Sequence, residues 1–177
     1  MAAEQTSCQQ TRGKPSYSIR PVTTPEDLTS TIALFREYVA SLNTDLSFQD
    51  FDSEVSSMPG KYSHPTGALL LARTDAGLCI GCVGLRSLGD PETCEMKRLY
   101  VSPLGRGTGL GKALTLEVLD QARRMGYRRV RLDTLRSMRS AMALYEKLGF
   151  IDVEPYYNNP LEGTRFLELN LEEMRQV

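Results

Sequence analysis

The chain has 177 residues, with 21 basic and 22 acidic side chains, a formal net charge of −1 and 41% apolar residues. That is ordinary composition for one globular domain, long enough to bury about 70% of its unfolded surface without a disulfide or a metal. The balanced charge gives no field that favours nucleic acid or an anionic membrane surface, and no 18-residue apolar run marks a transmembrane helix.

Met1 to Lys14 is polar and lacks the apolar centre of a secretory signal. Residues 1–15 are therefore expected as a flexible tail ahead of a single domain at 16–177, in a cytoplasmic or otherwise intracellular setting. Ser16 to Val22 predicts a first strand, with Tyr17, Ile19 and Pro21 on one face. Thr24 is an N-cap, Pro25 suits the first helical position, and Asp27 is placed to close a capping box. The helix that follows carries Leu28, Ile32, Leu34, Phe35, Tyr38 and Val39 at helical spacing. Leu42 to Phe48 is expected as a loop. Gln49 to Met58 predicts a short acidic helix stopped by Pro59-Gly60.

Three strands come next, at Gly67–Arg73, Leu78–Arg86 and Thr93–Val101, joined by Asp75-Ala76-Gly77 and Gly89-Asp90-Pro91 turns. A helix to about Met125 follows, with a stripe at Leu110, Leu114, Val118, Ala122 and Met125, ended by Gly126 as a C-cap. Tyr127–Asp133 predicts a fifth strand and Ser137–Leu148 a helix buried through Met138, Ala141, Met142, Tyr145 and Leu148. Phe150–Val153 and Arg165–Leu171 are closing strands. The order implies a mixed α/β sheet flanked by helices. Cys79 and Cys82 form a C-x-x-C inside an apolar strand, where a spacing of three puts them on opposite faces. No second cysteine pair is nearby and His64 is the only histidine, so no metal site is expected.

The richest signal lies between a strand and a helix, in Pro103-Leu-Gly-Arg-Gly-Thr-Gly-Leu-Gly-Lys112. Bare amides at a helix start attract anions, aided by the helix dipole, and Arg106 and Lys112 add full charges. A phosphate or diphosphate ligand is the natural expectation. The G-x-x-x-x-G-K-[ST] phosphate loop fails, because its first glycine falls on Arg106 and Ala113 replaces the hydroxyl. The dinucleotide pattern G-x-G-x-x-G fails at Leu110, and R-x-x-G-x-G fits at Arg106, Gly109 and Gly111. A loop that merely turns the chain is the plain alternative. Aspartate at Gly109 is expected to abolish anion binding and leave the fold intact.

Three segments in register resemble the GNAT superfamily of acetyl-CoA-dependent N-acetyltransferases: Cys94-Glu-Met-Lys-Arg-Leu-Tyr-Val101, Arg106-Gly-Thr-Gly-Leu-Gly111 and Ala141-Met-Ala-Leu-Tyr-Glu-Lys-Leu-Gly-Phe150. Pro59-Gly60-x-Tyr62, Leu132-Asp133-Thr134 and Tyr156-Tyr157-x-Asn159-Pro160 also resemble a GNAT subgroup. The resemblance implies a mostly antiparallel sheet of six to seven strands with about four helices, whose fourth and fifth strands splay apart. It implies transfer of the acetyl group of acetyl-CoA, a co-substrate, to a primary amine on a small molecule or peptide, with no metal, no nucleic acid and no membrane partner, and it allows a homodimer. The coenzyme would meet the strand edge at Leu99, Tyr100 and Val101, and the loop at Arg106, Gly107, Thr108, Gly109, Leu110, Gly111 and Lys112. Tyr145 would touch the coenzyme and act as the acid for the leaving thiolate; a core tyrosine is the plain alternative. Many members carry Asn where this chain has Met138.

Glu95 is the candidate base. It shares a strand face with Lys97 and Leu99 if no bulge intervenes, and a carboxylate shielded by the sheet can take an ammonium proton directly or through water. A strand salt bridge with Lys97 or Arg98 is the alternative. Asp45, Asp50, Asp52 and Glu54 either attract a cationic amine or form a solvated face. Tyr62 and the Tyr156–Asn159 loop are candidates to close over the acceptor. Two rival functions share these residues: a coenzyme A-binding module without catalysis, and a nucleotide-binding enzyme.

Overall fold

Thr24 starts the first helix as its chemistry requires: its Oγ1 accepts the Asp27 N–H at 3.2 Å, with Pro25 at the first position. The Asp27 carboxylate does not complete a capping box. It accepts instead from Arg73 Nη2 at 2.6 Å, tying the helix start to a strand. The computed structural model describes residues 16–42 and 50–174. The expected tail at 1–15, most of the loop expected at 42–48, and Asp45 lie outside the described residues.

The elements are β1 (Tyr17–Pro21), α1 (Pro25–Ser41), α2 (Phe51–Ser56), β2 (Ala68–Thr74), β3 (Cys79–Ser87), β4 (Thr93–Val101), α3 (Leu110–Arg124), β5 (Arg129–Leu135), α4 (Arg139–Leu148), β6 (Ile151–Asp152) and β7 (Thr164–Asn170). The helix expected at Gln49–Met58 is thus shorter; after it, Ser57 Oγ bonds back to the Glu54 carbonyl and Gly60–Tyr62 tightens into a 3-10 turn. The fifth strand begins later than expected because Tyr127 leaves the sheet, its hydroxyl donating to the Thr66 carbonyl at 2.8 Å. None of the described helices is long and apolar enough to cross a membrane.

All seven strands form one sheet in the order β1-β2-β3-β4-β5-β7-β6. Only β4 and β5 run parallel, and they pair at just three positions, Thr93–Arg129, Cys94–Val130 and Glu95–Arg131. Beyond these, β5 stays paired to β7 through Leu135, while β4 stays with β3 through Val101. The two central strands therefore part from Met96 and Leu132 onward. Among the described residues this is the mixed sheet, with splayed fourth and fifth strands and four helices, that the family resemblance implies.

Alternation along the strands supplies two cores. Leu70, Ala72, Val83, Leu85, Cys94 and Met96 face α3 and α4, against Leu110, Leu114, Val118, Tyr145 and Leu148. Leu69, Leu71, Cys82 and Tyr100 face the other way, against Leu34, Phe35 and Tyr62. Burying such side chains contributes about 1.5–3 kcal/mol each.

Two bulges break the alternation and correct two expectations. In β3 the pairing with β2 skips Ile80, so Arg73 opposes Cys79 while Ala72 opposes Gly81. Cys79 and Cys82 then pack against the same cluster rather than on opposite faces; both are free thiols. In β4, Gly84 opposes Lys97 and Cys82 opposes Tyr100, so Val83 faces two residues, Arg98 and Leu99. Arg98 takes φ of 57°, an uncommon conformation for a side-chain-bearing residue. The shift puts Leu99 with the α3 core and leaves Tyr100, not Leu99, on the face of Glu95 and Lys97.

Candidate active site

The end of β4 delivers the chain into the glycine segment, and each glycine there answers to a different constraint. Gly105 is needed for packing: a Cβ would meet Ile80 O, Leu110 Cδ2 and Val101 Cγ1, each at 3.0 Å. Gly107 and Gly109 are needed for conformation, with φ of 72° and 86° and open space around them. Gly111 meets neither constraint; a Cβ there would touch only Val101 Cγ2, at 3.8 Å. Its bareness leaves room for something outside the chain. This also alters the expectation for aspartate at Gly109, where backbone strain adds to any effect on a ligand.

Five amides of this segment are unused. Arg106 N–H bonds to the Pro103 carbonyl and Ala113 N–H to the Gly109 carbonyl, and Leu110 N–H reaches Thr108 Oγ1 at 3.4 Å. Those of Gly107, Thr108, Gly109, Gly111 and Lys112 have no partner among the described residues. Thr108 Oγ1 donates to the Gly105 carbonyl at 2.7 Å and so holds the turn. α3 has no side-chain cap. Arg106 and Lys112 are exposed, and Arg106 Nε lies 3.4 Å from the Val101 carbonyl. Leu110 is different in kind: its side chain is core, and only its backbone belongs to the loop. Unpaired amides at a helix start, flanked by cations, suit a diphosphate.

Where β4 and β5 part, a narrow cleft opens, lined by Leu99 and Arg98 of β4, Asp133 and Thr134 of β5, Met138 at the N-cap of α4 and Tyr145 of α4. Tyr38 of α1 and Asn159 lie on its rim. Val101 and Tyr100 continue the β4 edge toward the glycine loop, with the Tyr100 ring turned to α1 beside Tyr38. Tyr145 is 5% exposed and stacks obliquely on Phe150 at 5.4 Å. Burial, then the fields of Tyr38 and Asp133, push its phenol above the ordinary tyrosine value, so it is protonated at neutral pH. Its hydroxyl has no hydrogen-bond partner among the described residues, although it belongs to the cleft wall. Tyr38 is pushed up to about 12, by burial and by Asp133, with Arg98 opposing.

Glu95 is fully buried and sits behind the cleft wall rather than in it. Arg86 Nε and Nη2 each lie 2.7 Å from Oε2, the Tyr156 hydroxyl donates to Oε1 at 2.7 Å, and Lys97 Nζ is 3.7 Å from Oε1. Glu95 is thus in a salt bridge, but its main partner is Arg86 of β3 rather than Lys97 or Arg98, the partners weighed from the sequence. Tyr156 and Tyr157 pack edge-on against Phe166.

Sequence reasoning did not single out the ion pairs that line the splay. Lys97 Nζ donates to Asp133 Oδ1 at 2.7 Å, bridging β4 and β5 where their backbones no longer pair. Burial would raise the Asp133 carboxyl, but the charge and hydrogen bond of Lys97 hold it below the usual range. Arg98 Nη2 lies 2.5 Å from Glu54 Oε2, and the Tyr62 hydroxyl donates to Glu54 Oε1. Glu54 is likewise lowered, because the Arg98 hydrogen bond and charge outweigh burial. The acidic stretch thus divides: Glu54 is a buried ion-pair partner, while Asp50 and Asp52 are exposed. Among the described residues no cluster could hold a metal. The available signal was charge inside an otherwise apolar strand, Glu95-x-Lys97-Arg98, which demands partners elsewhere.

The Acetyltransferase (GNAT) family pattern matches residues 32–150. An uncharacterised N-acetyltransferase of Schizosaccharomyces pombe is 40% identical over 159 residues, covering 89% of this chain and 98% of the relative. Among solved structures, a GNAT-family acetyltransferase of Staphylococcus aureus superposes with a TM-score of 0.71 at 20% identity, over 88% of this chain and 99% of that one. A GNAT-family acetyltransferase of Elizabethkingia anophelis, solved with acetyl-CoA bound, gives a TM-score of 0.58 at 25% identity, over 87% and 97% of the two chains. A sheet opened at its centre beside a helix start with free amides agrees with these matches, and the chain belongs to the GNAT family of N-acetyltransferases.

Proposed function

We propose that the chain transfers the acetyl group of acetyl-CoA directly to a primary amine. The observation that carries this reading is the row of unpartnered amides at Gly107, Thr108, Gly109, Gly111 and Lys112, set at the end of a strand edge that leads to Tyr145. The neighbour solved with acetyl-CoA bound supports the choice of donor. Acetyl-CoA supplies an acyl carbon activated as a thioester.

The chain's own groups do the rest. The glycine-loop amides, with Arg106 and Lys112, hold the diphosphate. The free edge of β4 at Leu99, Tyr100 and Val101 offers backbone donors and acceptors to the amide-bearing arm. One such N–H aimed at the thioester oxygen would stabilise developing negative charge, an effect of roughly 3–4 kcal/mol elsewhere. Tyr145, protonated and with a free hydroxyl, donates to the departing sulfur. Met138, at the start of α4, lines the cleft where many relatives place an amide, so this contact with the arm is apolar. Glu95 has no direct path to an amine in the cleft; proton movement toward it would pass through the Tyr156 hydroxyl or water. An intracellular setting accompanies the proposal, supported by the free thiols of Cys79, Cys82 and Cys94.

The test is calorimetric titration with acetyl-CoA followed by thiol release against an amine panel. Saturable binding and amine-dependent thiol release are expected. No binding at millimolar acetyl-CoA overturns the reading. Binding without transfer to any amine would favour a coenzyme A-binding module instead.

A further inference from the structure

The β4 bulge has a chemical consequence for the acceptor. It sends Lys97 and Arg98, adjacent in sequence, to the same side of the sheet, and both line the cleft together with a single carboxylate, Asp133. Glu54 and Glu95, the acids nearest these two cations besides Asp133, stand outside the lining. Each acid already holds a cation: Glu54 with Arg98 at 2.5 Å, Glu95 with Arg86 at 2.7 Å and Asp133 with Lys97 at 2.7 Å. A polyamine entering the cleft would therefore meet no unneutralised carboxylate in its lining; Glu37 of α1, which interacts with Tyr100, stands outside that lining.

Spare donors, in contrast, are present. Arg98 uses Nε and Nη2 on Glu54, while Nη1 has no acceptor among the described residues, and its side chain is only 3% exposed. Lys97 Nζ spends one hydrogen bond on Asp133 and lies 3.7 Å from Glu95, too far for a second. Buried N–H groups without acceptors are costly and call for a partner. The guanidinium is also felt by two groups of the cleft itself, opposing the rise of Tyr38 and adding to the lowering of Asp133 by Lys97. Arg98 holds φ of 57°, uncommon for a residue with a side chain, and such outliers cluster at functional sites.

We propose that the acceptor is an amino acid, a small molecule bearing a carboxylate beside its amine, and that Arg98 with Lys97 holds the carboxylate while the amine faces the thioester. This rests on the amine-transfer reading above. The wall has no spare negative charge for a second ammonium. It has spare charge-assisted donors for one carboxylate, which are among the stronger hydrogen bonds available.

The full chain, saturated with acetyl-CoA, is assayed by thiol release against matched sets: free L-amino acids, their α-amides, their descarboxy amines, and putrescine and spermidine. The best free acid should exceed its own amide and descarboxy amine by about 10-fold or more in kcat/KM. Arg98→Gln should bring that ratio close to unity, mainly through KM, with the acetyl-CoA Kd unchanged by calorimetry. If this variant does not fold, the wild-type ratio decides alone. Amides, descarboxy amines or polyamines acetylated as well as the acids would overturn the proposal and leave amine transfer standing. Acetyl-CoA binding with no amine of any set acetylated would overturn both.

Discussion

Gly111→Asp separates coenzyme recognition from folding. A side chain at 111 meets only Val101 Cγ2 at 3.8 Å, so nothing in the fold resists it. Aspartate is better than glycine in a helix by a few tenths of a kcal/mol, and an acid in the first turn adds about 0.3–1 kcal/mol through the helix dipole. The apo protein should gain about 0.5–1 kcal/mol, which at this length raises Tm by roughly 1–4 °C. The same carboxylate would stand beside the free amides of Gly107, Thr108 and Gly109. One negative charge about 5 Å from a diphosphate oxygen, at an effective dielectric constant of about 20, costs roughly 3 kcal/mol. With screening the loss should be ~2–3 kcal/mol, or about 30- to 160-fold in Kd. Calorimetry with coenzyme A reads the affinity, and melts of the apo protein read the fold. Affinity within threefold of wild type (about 0.6 kcal/mol), or a lower apo Tm, would refute the reasoning. Gly105→Ala is the contrast, since its Cβ meets three atoms at 3.0 Å; it should destabilise the apo fold.

Tyr145→Phe should lower kcat by about 100-fold while leaving acetyl-CoA affinity and urea stability unchanged, because the lost hydroxyl has no partner among the described residues; a fall in coenzyme affinity would make Tyr145 a packing residue. Glu54→Ala strands Arg98, which is 3% exposed, and should cost about 3–5 kcal/mol in urea unfolding; a cost below about 1 kcal/mol, typical of a surface pair, would contradict the buried-pair assignment. Glu54 and Asp133 are both held below the ordinary carboxylate range. Their stabilisation is therefore complete above the unfolded values of about 4 and is lost as pH falls through the lower folded values. Urea unfolding from neutral pH down to about pH 3, where unfolded carboxylates are protonated, should show that loss, and Asp133→Asn should make the decline shallower. An identical slope in the variant would count against the pairing.

Local signals carried the element order. The Thr24 cap, the Leu110–Leu114–Val118–Ala122 stripe and the glycine stop at 126 depend on residues within a few positions of one another, and each appears in the structure. The glycine segment was legible for the same reason: a row of free amides is built from consecutive residues. Ion pairing was not, because Lys97–Asp133 spans 36 residues and Arg98–Glu54 spans 44. Glu95 shows the limit most clearly, since its role turns on Arg86 and Tyr156, which reach it from a neighbouring strand and a distant loop.

The sequence by itself determined the periodicities, the turns and the bare glycine loop, which are properties of neighbouring residues. Only the tertiary structure decided which side of β4 each charge occupies. One unpaired residue at the bulge reverses the alternation of every side chain beyond it, and no pattern in the chain records where the partner strand will skip. It likewise decided which glycine serves packing, which serves conformation and which leaves space, because that depends on atoms brought close from β3 and β4 rather than on the glycines themselves.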